Sequence, residues 1–145
     1  MFTDHVNISQ AFVQGELLTV YISSPPGYDE DPLYVYRLLK PLYGTPSAAR
    51  AWHTTMSAFL AKEGCATVGI EKSMWTVAID GGRILLGTYI DDFVIACANR
   101  QVLDGFRARR ARLLDTFEGT YEGALQHYLG CEVTRDMDKG TTYLS

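Results

Sequence analysis

The stretch ILLGTYIDDFVIAC, residues 84–97, sets two adjacent aspartates, Asp91 and Asp92, inside an apolar run of β-prone residues. Such a run is normally buried, and a carboxylate is costly to bury without partners, so the two acids require an explanation. If the chain turns at Asp91-Asp92 and returns as a second strand, both carboxylates stand at the tip of a hairpin. Their oxygens are the ligands that Mg²⁺ prefers, and phosphoryl transfer uses such ions. The stretch therefore predicts a hairpin with a candidate metal site at its tip.

The aspartate pair also has a simpler explanation, because Asp is a common turn residue. A two-metal site holds its ions roughly 3.5–4 Å apart and draws carboxylates from more than one strand, so Asp91-Asp92 is not sufficient by itself. On this dipeptide alone, a structural turn and a metal site remain equally open.

The composition predicts one domain with one hydrophobic core. The chain has 145 residues, 47% of them apolar, and no low-complexity linker divides it, so we expect residues 1–145 to form a single domain. The formal net charge of −4 argues mildly against a self-sufficient nucleic-acid binder. An arginine cluster between Arg100 and Arg112 contains one acid, Asp104. It could face a phosphate backbone, but a solvated helix face is the favoured interpretation.

Cysteine usage and hydropathy indicate an intracellular, cytoplasmic protein without a membrane partner. Cys65, Cys97 and Cys131 are widely spaced and form no CxxC pair, so we expect reduced, mostly buried thiols. No stretch reaches the roughly 18 uncharged apolar residues of a membrane span, and the first residues do not resemble a secretory leader.

Two helices are predicted. The first has Thr45 or Ser47 as its cap and Pro46 in its first turn, and it ends at Gly64. The second runs from Asn99 to Phe117. The apolar faces of the two helices comprise Trp52, Met56, Phe59 and Leu60, and Val102, Leu103, Phe106, Leu113, Leu114 and Phe117.

The remaining segments predict strands. A hairpin joins residues 73–79 to 83–89 through Asp80-Gly81-Gly82. Further strands are expected at residues 2–8, 18–23, 33–38, 93–98, 127–134 and 141–144. This order predicts an α+β fold, an antiparallel sheet with two main helices packed on one face.

Five segments together resemble one protein family. Tyr89-Ile90-Asp91-Asp92 looks like the YxDD box of reverse transcriptases. Four other segments follow the family's DxxxAFLxG, PPGF, RLxKxLYGxxxxPRAW and LxxFLGxE stretches in the same order: AFVQGEL (11–17), PPGY (25–28), YRLLKPLYG (36–44) continuing to RAW (50–52), and HYLGCEV (127–133). Over essentially its whole length, the chain resembles the palm region of a copia-type retrotransposon reverse transcriptase.

This resemblance implies a polymerase palm of ferredoxin-like architecture, here a partial domain without fingers and thumb. It implies an RNA-directed DNA polymerase, a nucleotidyltransferase that extends a primer on an RNA or DNA template with dNTPs and two Mg²⁺ ions. In the intact transposable element the domain would be part of a polyprotein packaged in a virus-like particle.

The resemblance also assigns roles to residues near the aspartate pair. Asp91 corresponds to the principal metal ligand and Asp92 to its neighbouring carboxylate, while Tyr89 would lie beside the primer terminus. Phe12 matches the aromatic residue that leaves no room for a ribose hydroxyl and so selects deoxynucleotides. The alternative is that Phe12 is an ordinary core residue.

The other assigned roles lie further along the chain. Tyr43 and Gly44 match the segment that packs against the templating base pair. Leu129 and Gly130 resemble the primer grip, a hairpin whose backbone holds the primer strand. Trp52, in contrast, is expected to be a core residue.

One position departs from the family pattern. The family carries a catalytic, metal-binding aspartate four residues before its Ala-Phe pair, and this chain has Asn7 there. An amide oxygen can ligate Mg²⁺ but brings no negative charge. Asp4 lies at an odd offset, so it should point to the opposite face of the strand. We therefore expect weak polymerase activity or none.

Two alternatives remain. A degenerate, non-catalytic retrotransposon fragment is favoured by Asn7. An unrelated Mg²⁺-dependent phosphatase or nuclease is disfavoured, because no additional set of His, Asp and Glu residues has ligand spacing.

Overall fold

The computed structural model describes residues 1–16, 19–28, 33–136 and 139–145. Leu17, which ends the AFVQGEL segment, and Leu18, which begins a predicted strand, lie outside the described residues. No described helix combines the length and hydropathy that crossing a membrane requires.

The described residues form eleven strands, a short 3-10 helix and three α-helices. In chain order these are β1 (Phe2–Ile8), the 3-10 helix Ala11–Gln14, β2 (Tyr21–Ser23), β3 (Val35–Arg37), α1 (Pro46–Lys62), β4 (Ala66–Val68), β5 (Glu71–Ile79), β6 (Gly82–Tyr89), β7 (Asp92–Cys97), α2 (Arg100–Gly105), α3 (Arg107–Thr116), β8 (Gly119–Gly123), β9 (His127–Tyr128), β10 (Cys131–Asp136) and β11 (Thr141–Leu144).

A six-stranded sheet organises the molecule, with the strand order β4-β5-β6-β7-β1-β8. All of its neighbouring strands are antiparallel. The predicted α+β class and antiparallel pairing are thereby confirmed. Two small sheets, β2-β3 and β11-β10-β9, accompany the main one.

The main sheet buries one of its faces beneath the helices. Cross-strand partners share a face, and Val6 opposite Phe93 continues into a row that includes Ile95 and Leu86. These residues are buried in one cluster with Trp52, Met56 and Leu60 of α1 and Val102, Leu103, Phe106 and Leu113 of α2 and α3. Both helical segments therefore pack on one side, as the apolar periodicity predicts.

The first helix follows its prediction, and the second is divided. α1 begins after Thr45 and ends just before Gly64, which has a φ of 81°. Asn99 caps α2 by accepting a 2.9 Å hydrogen bond from the Val102 amide. The prediction of one helix from Asn99 to Phe117 is wrong, because α2 ends at Gly105, α3 begins at Arg107 and Phe106 lies between them. Glycine is a weak helix former, which favours a break at Gly105, and Phe106 at the break is buried.

Several strand predictions also needed correction. The segment 127–134 is not one strand, because it turns back at Leu129-Gly130 between β9 and β10. Strands β4 and β8 were not predicted. Within the expected strands 18–23 and 33–38, the described residues form β2 and β3, whereas β1 and β11 have their predicted bounds.

Candidate active site

The aspartate pair lies at the end of the β6–β7 hairpin. Tyr89 pairs with Asp92, so Ile90 and Asp91 form the two-residue connection, and the turn lies one residue earlier than predicted. Ile90 has a φ of 54°, which is rare for a β-branched residue. Backbone strain of this kind persists where the surrounding structure enforces it, often at functional sites.

The opening strand lies directly beside this turn. Asn7 of β1 pairs with Asp92 of β7, and the Ile8 amide donates a 2.8 Å hydrogen bond to the Asp91 carbonyl. The Asn7 side-chain amide donates to Asp92 Oδ1 at 3.2 Å. The structure therefore brings Asn7 and the aspartate pair together, and the Asn7 side chain is hydrogen-bonded to Asp92.

Asp92 has a second partner that the sequence did not indicate. His5 Nε2 donates to the same oxygen, Asp92 Oδ1, at 2.9 Å. Residues 5 and 7 of a strand share a face, so both side chains reach Asp92 from the same side. The His5 and Asp92 side chains retain 16% and 24% of their exposure, so the pair is partly shielded from water.

The other aspartate is differently placed. Within the described part of the chain, the Asp91 side chain makes no hydrogen bond or ion pair, and it is partly buried at the turn. No three described His, Cys, Asp or Glu side chains are grouped so that they could hold a metal ion. Since Asn7 directs its N–H donors at Asp92, the side chains as arranged do not fit a pair of Mg²⁺ ions.

Asp4 lies on the opposite face of β1, as its odd offset from Asn7 predicts. It is buried and forms an ion pair with Arg110. The Arg110 guanidinium also lies 3.7 Å from the centre of the Tyr121 ring. Burial raises the pKa of Tyr121, and its hydrogen bond to Asp4 contributes to this rise. Asp4 is therefore a structural residue, separated from the aspartate pair by the sheet.

The predicted nucleotide-binding residues Phe12 and Tyr43 are in contact. Their ring centres are 5.0 Å apart with an interplanar angle of 48°, and Gly44 follows with a φ of 85°. Phe12 and Ile90 both line an apolar cavity of about 200 Å³ between α1 and the sheet. Phe12 and Tyr43 therefore lie on the side of the turn that faces the helices. Tyr89 lies on the other face of the sheet, together with Asp92.

Trp52 does more than fill the core. It is buried, as expected, and its indole Nε1 donates a 2.6 Å hydrogen bond to the Ile90 carbonyl. A buried indole N–H needs an acceptor, and here the acceptor is the strained turn residue. This bond connects the RAW segment to the YIDD box, and no local sequence pattern indicated it.

The β9–β10 hairpin stands next to the aspartate pair. Leu129 and Gly130 have φ values of 50° and 83°, the pattern of a two-residue type I′ turn. Burial raises the pKa of the preceding Tyr128, and the negative charge of Asp92 adds to this effect. The predicted primer-grip residues are therefore at a hairpin turn whose first strand approaches Asp92.

A polar cavity of about 260 Å³ adjoins the same side of β1. It is lined by His5, Asn7, Glu122, Ala124, Gln126 and His127. The residues beyond β1 come from β8, from β9 and from the connection between these two strands. They were not predicted because the pairing of β8 with β1 could not be anticipated from the sequence.

The arginine cluster is engaged within the protein. Arg100 and Arg107 both pair with Asp104, Arg110 pairs with Asp4, and Arg112 pairs with Glu63. Arg109 donates through Nε to the Glu63 carbonyl at 3.1 Å. This arrangement favours the interpretation of the cluster as a helix face over that of a phosphate-binding surface.

The thiols of Cys65 and Cys97 are buried, as predicted, and Cys131 is exposed. Burial raises the pKa of both Cys65 and Cys97, so these thiols stay protonated near neutral pH. They are core residues.

Comparisons with known proteins agree with the five ordered segments. The family described as reverse transcriptase (RNA-dependent DNA polymerase) matches residues 1–144. The chain is 32% identical over 133 residues to the retrovirus-related Pol polyprotein from transposon RE2 of Arabidopsis thaliana and 30% identical over 133 residues to that from transposon RE1. Each match covers 90% of this chain and 9% of the polyprotein.

A shorter match is to the putative transposon Ty5-1 protein of Saccharomyces cerevisiae, which is 25% identical over 96 residues, covering 65% of this chain and 31% of that protein. No solved structure matches the chain significantly. A family match over nearly the whole chain and two relatives at or above 30% identity are mutually consistent. The chain belongs to the reverse transcriptase (RNA-dependent DNA polymerase) family.

Proposed function

We propose that this chain is the palm of a copia-type retrotransposon reverse transcriptase, the part that holds the primer terminus and the incoming nucleotide. Its element order supports this assignment. With the 3-10 helix and β2 to β5 left out, the chain runs through β1, α1, β6, β7, the α2–α3 pair and β8, which is the order β-α-β-β-α-β. The corresponding strands lie side by side as β6-β7-β1-β8. This order is the one expected of a ferredoxin-like sheet and supports the proposal, with β4 and β5 lying at one edge.

One observation carries the proposal. Asn7, at the position of the family's first catalytic carboxylate, lies opposite Asp92 on the neighbouring strand, with Asp91 beside it at the turn. Asn7 is more than 80 positions away from the two aspartates in sequence. The antiparallel register of β1 and β7 brings it beside them. A site for phosphoryl transfer has to converge from more than one strand in this way.

In the intact family enzyme, divalent cations would stabilise the charge that develops on the transferred phosphate. Asp91 is the side chain best suited to serve as a ligand here, because it is unengaged among the described residues and stands at the turn. Asp92 is occupied by Asn7 and His5. We therefore expect the unmodified chain to extend primers weakly or not at all.

The remaining assigned residues divide between the two sides of the turn. Phe12 and Tyr43 would contact the incoming dNTP and the templating base pair on the helix side. Tyr89, Leu129 and Gly130 would contact the primer on the side of Asp92. Tyr89 and Leu129 each retain 53% of their exposure, so both are accessible to a bound strand.

Crosslinking from a primer terminus tests the proposal without requiring catalysis. A DNA primer carrying 4-thiothymidine at its 3′ end, annealed to an RNA template, is irradiated with the chain, and the adducts are located by mass spectrometry. We expect adducts at Tyr89 or within the segment 128–131. A primer with the label moved ten nucleotides upstream serves as the control and should not mark these residues.

The outcome that would overturn the proposal is also defined by the fold. The Asp80-Gly81 turn lies at the other end of β6, about 25 Å from the aspartate pair at ~3.3 Å per residue. Adducts at this turn or on the arginine cluster, or adducts independent of the label position, would show that the primer terminus is not held at Asp91 and Asp92.

A second candidate function is a degenerate, non-catalytic fragment, and the engagement of Asp92 by two donors favours it. Such a fragment would retain the fold but would no longer bind the primer terminus. Failure of the chain to form any 3′-dependent adduct would support this candidate.

A further inference from the structure

The Asp92 carboxylate is held by two donors through one oxygen. His5 Nε2 and Asn7 Nδ2 lie 2.9 Å and 3.2 Å from Asp92 Oδ1. A carboxylate accepts hydrogen bonds, so the Asn7 amide must present its N–H group to Asp92 and turn its oxygen away. Neither neighbour therefore offers an acceptor atom that could share a cation with Asp92.

The position of His5 follows from the strand geometry. It lies two residues before Asn7 on β1 and on the same face, and its ring reaches across to β7. A cation binding to Oδ1 would have to displace the ring N–H as well as the Asn7 amide. Replacing Asn7 alone removes one of these two competitors.

We propose that His5 is a positioning residue that keeps Asp92 hydrogen-bonded and unavailable to a divalent cation. Asn7 and His5 form two barriers to metal binding in this chain. Restoring a carboxylate through Asn7→Asp is insufficient by itself, because the His5 ring remains on Asp92 Oδ1 and can donate to the new carboxylate as well. The inference rests on the proposed function for the identity of the metal ligands.

The test is Mn²⁺ binding, measured by electron paramagnetic resonance of the free ion at one fixed pH. Four proteins are compared: the unmodified chain, Asn7→Asp, His5→Phe and the double variant. Phe retains a ring at position 5 but has no donor. We expect a small gain in affinity for each single variant, and for the double variant about tenfold more than the product of the single gains, the size typical of coupled neighbours.

Two controls make the result specific. His127 lines the same polar cavity as His5 and Asn7 but has no described bond to Asp92. Adding His127→Phe to Asn7→Asp should therefore give no further gain in Mn²⁺ affinity. Adding Asp91→Asn to the double variant should abolish the gain. Circular dichroism shows which variants are folded.

A direct measurement covers the case in which His5→Phe does not fold. The ¹⁵N chemical shift of His5 Nε2 should move on Asp92→Asn and stay unchanged on Asp91→Asn. The inference is wrong if the His5 Nε2 resonance does not shift on Asp92→Asn. It is also wrong if Asn7→Asp alone gives the whole gain in Mn²⁺ affinity of the double variant, or if no variant binds Mn²⁺. None of these results depends on nucleic acid, so they are separable from the crosslinking outcome.

Discussion

At the residue scale, the glycine of the AFVQG segment has a role in packing. Gly15 has ordinary extended angles, φ −66° and ψ 150°, so alanine could adopt its backbone conformation. Space is the constraint, because a Cβ atom there would lie 2.8 Å from the Trp52 backbone nitrogen and 3.1 Å from the Ala51 carbonyl carbon. The close approach holds the 3-10 helix that carries Phe12 against the helix that carries Trp52.

We expect Gly15→Ala to lower the free energy of unfolding by about 1–3 kcal/mol, the range found for overpacked sites. The new Cβ meets backbone, which cannot move aside as a flexible side chain can. Urea denaturation measures the effect. Gly87→Ala is the matched control, since its Cβ would meet only Met74 Sδ at 3.8 Å. Equal unfolding midpoints for the two variants would contradict the packing argument.

At the scale of elements, the sequence predicted those segments whose ends carry local chemistry. The Thr45-Pro46 start and Gly64 stop define α1, and alternation defines β1. β8 was missed because GTYEG has little strand propensity and forms through its pairing with β1. Within the site, the motif order predicted that Asn7 and the aspartates meet. The contact between His5 and Asp92 spans 87 positions and depends on strand register, which no local pattern reveals.

The β9–β10 hairpin contains a second unpredicted feature that can be tested. Leu129 has a φ of 50° although leucine disfavours this region, and it is 53% exposed, so it buries little. Asparagine followed by glycine is the preferred type I′ turn. Leu129→Asn should therefore raise the free energy of unfolding by about 1 kcal/mol.

Chemical denaturation of Leu129→Asn is compared with that of Leu42→Asn. Leu42 is similarly exposed, at 49%, but is not among the residues with positive φ. It should show no comparable gain. Equal changes in the two variants would indicate that removing an exposed leucine, and not relief of backbone strain, determines the result.

At the scale of the whole molecule, the two faces of the main sheet have different roles. One face packs against α1, α2 and α3, and the other carries Asn7, His5, Asp92 and Tyr89. The helical layer is tied together by Glu63 at the end of α1. Its carboxylate accepts 3.0 Å hydrogen bonds from Arg112 Nε, and its backbone carbonyl accepts from Arg109. Arg109 and Arg112 thus stabilise the helical layer, which packs on the face of the sheet opposite Asp92.

This link predicts a dependence of stability on pH. The hydrogen bond from Arg112 lowers the pKa of Glu63 below its usual value of 4.5. A lowered folded-state pKa stabilises the protein fully above the unfolded pKa, and this contribution disappears as the pH falls through the folded value. Glu63→Gln should therefore be less stable than the unmodified chain at neutral pH, and the difference should shrink below pH 4.5. Urea unfolding of both proteins between pH 7 and pH 3 measures this difference, and Arg112→Gln should give the same profile. A constant difference across the series would mean that the Glu63–Arg112 pair does not couple the helices through its charge.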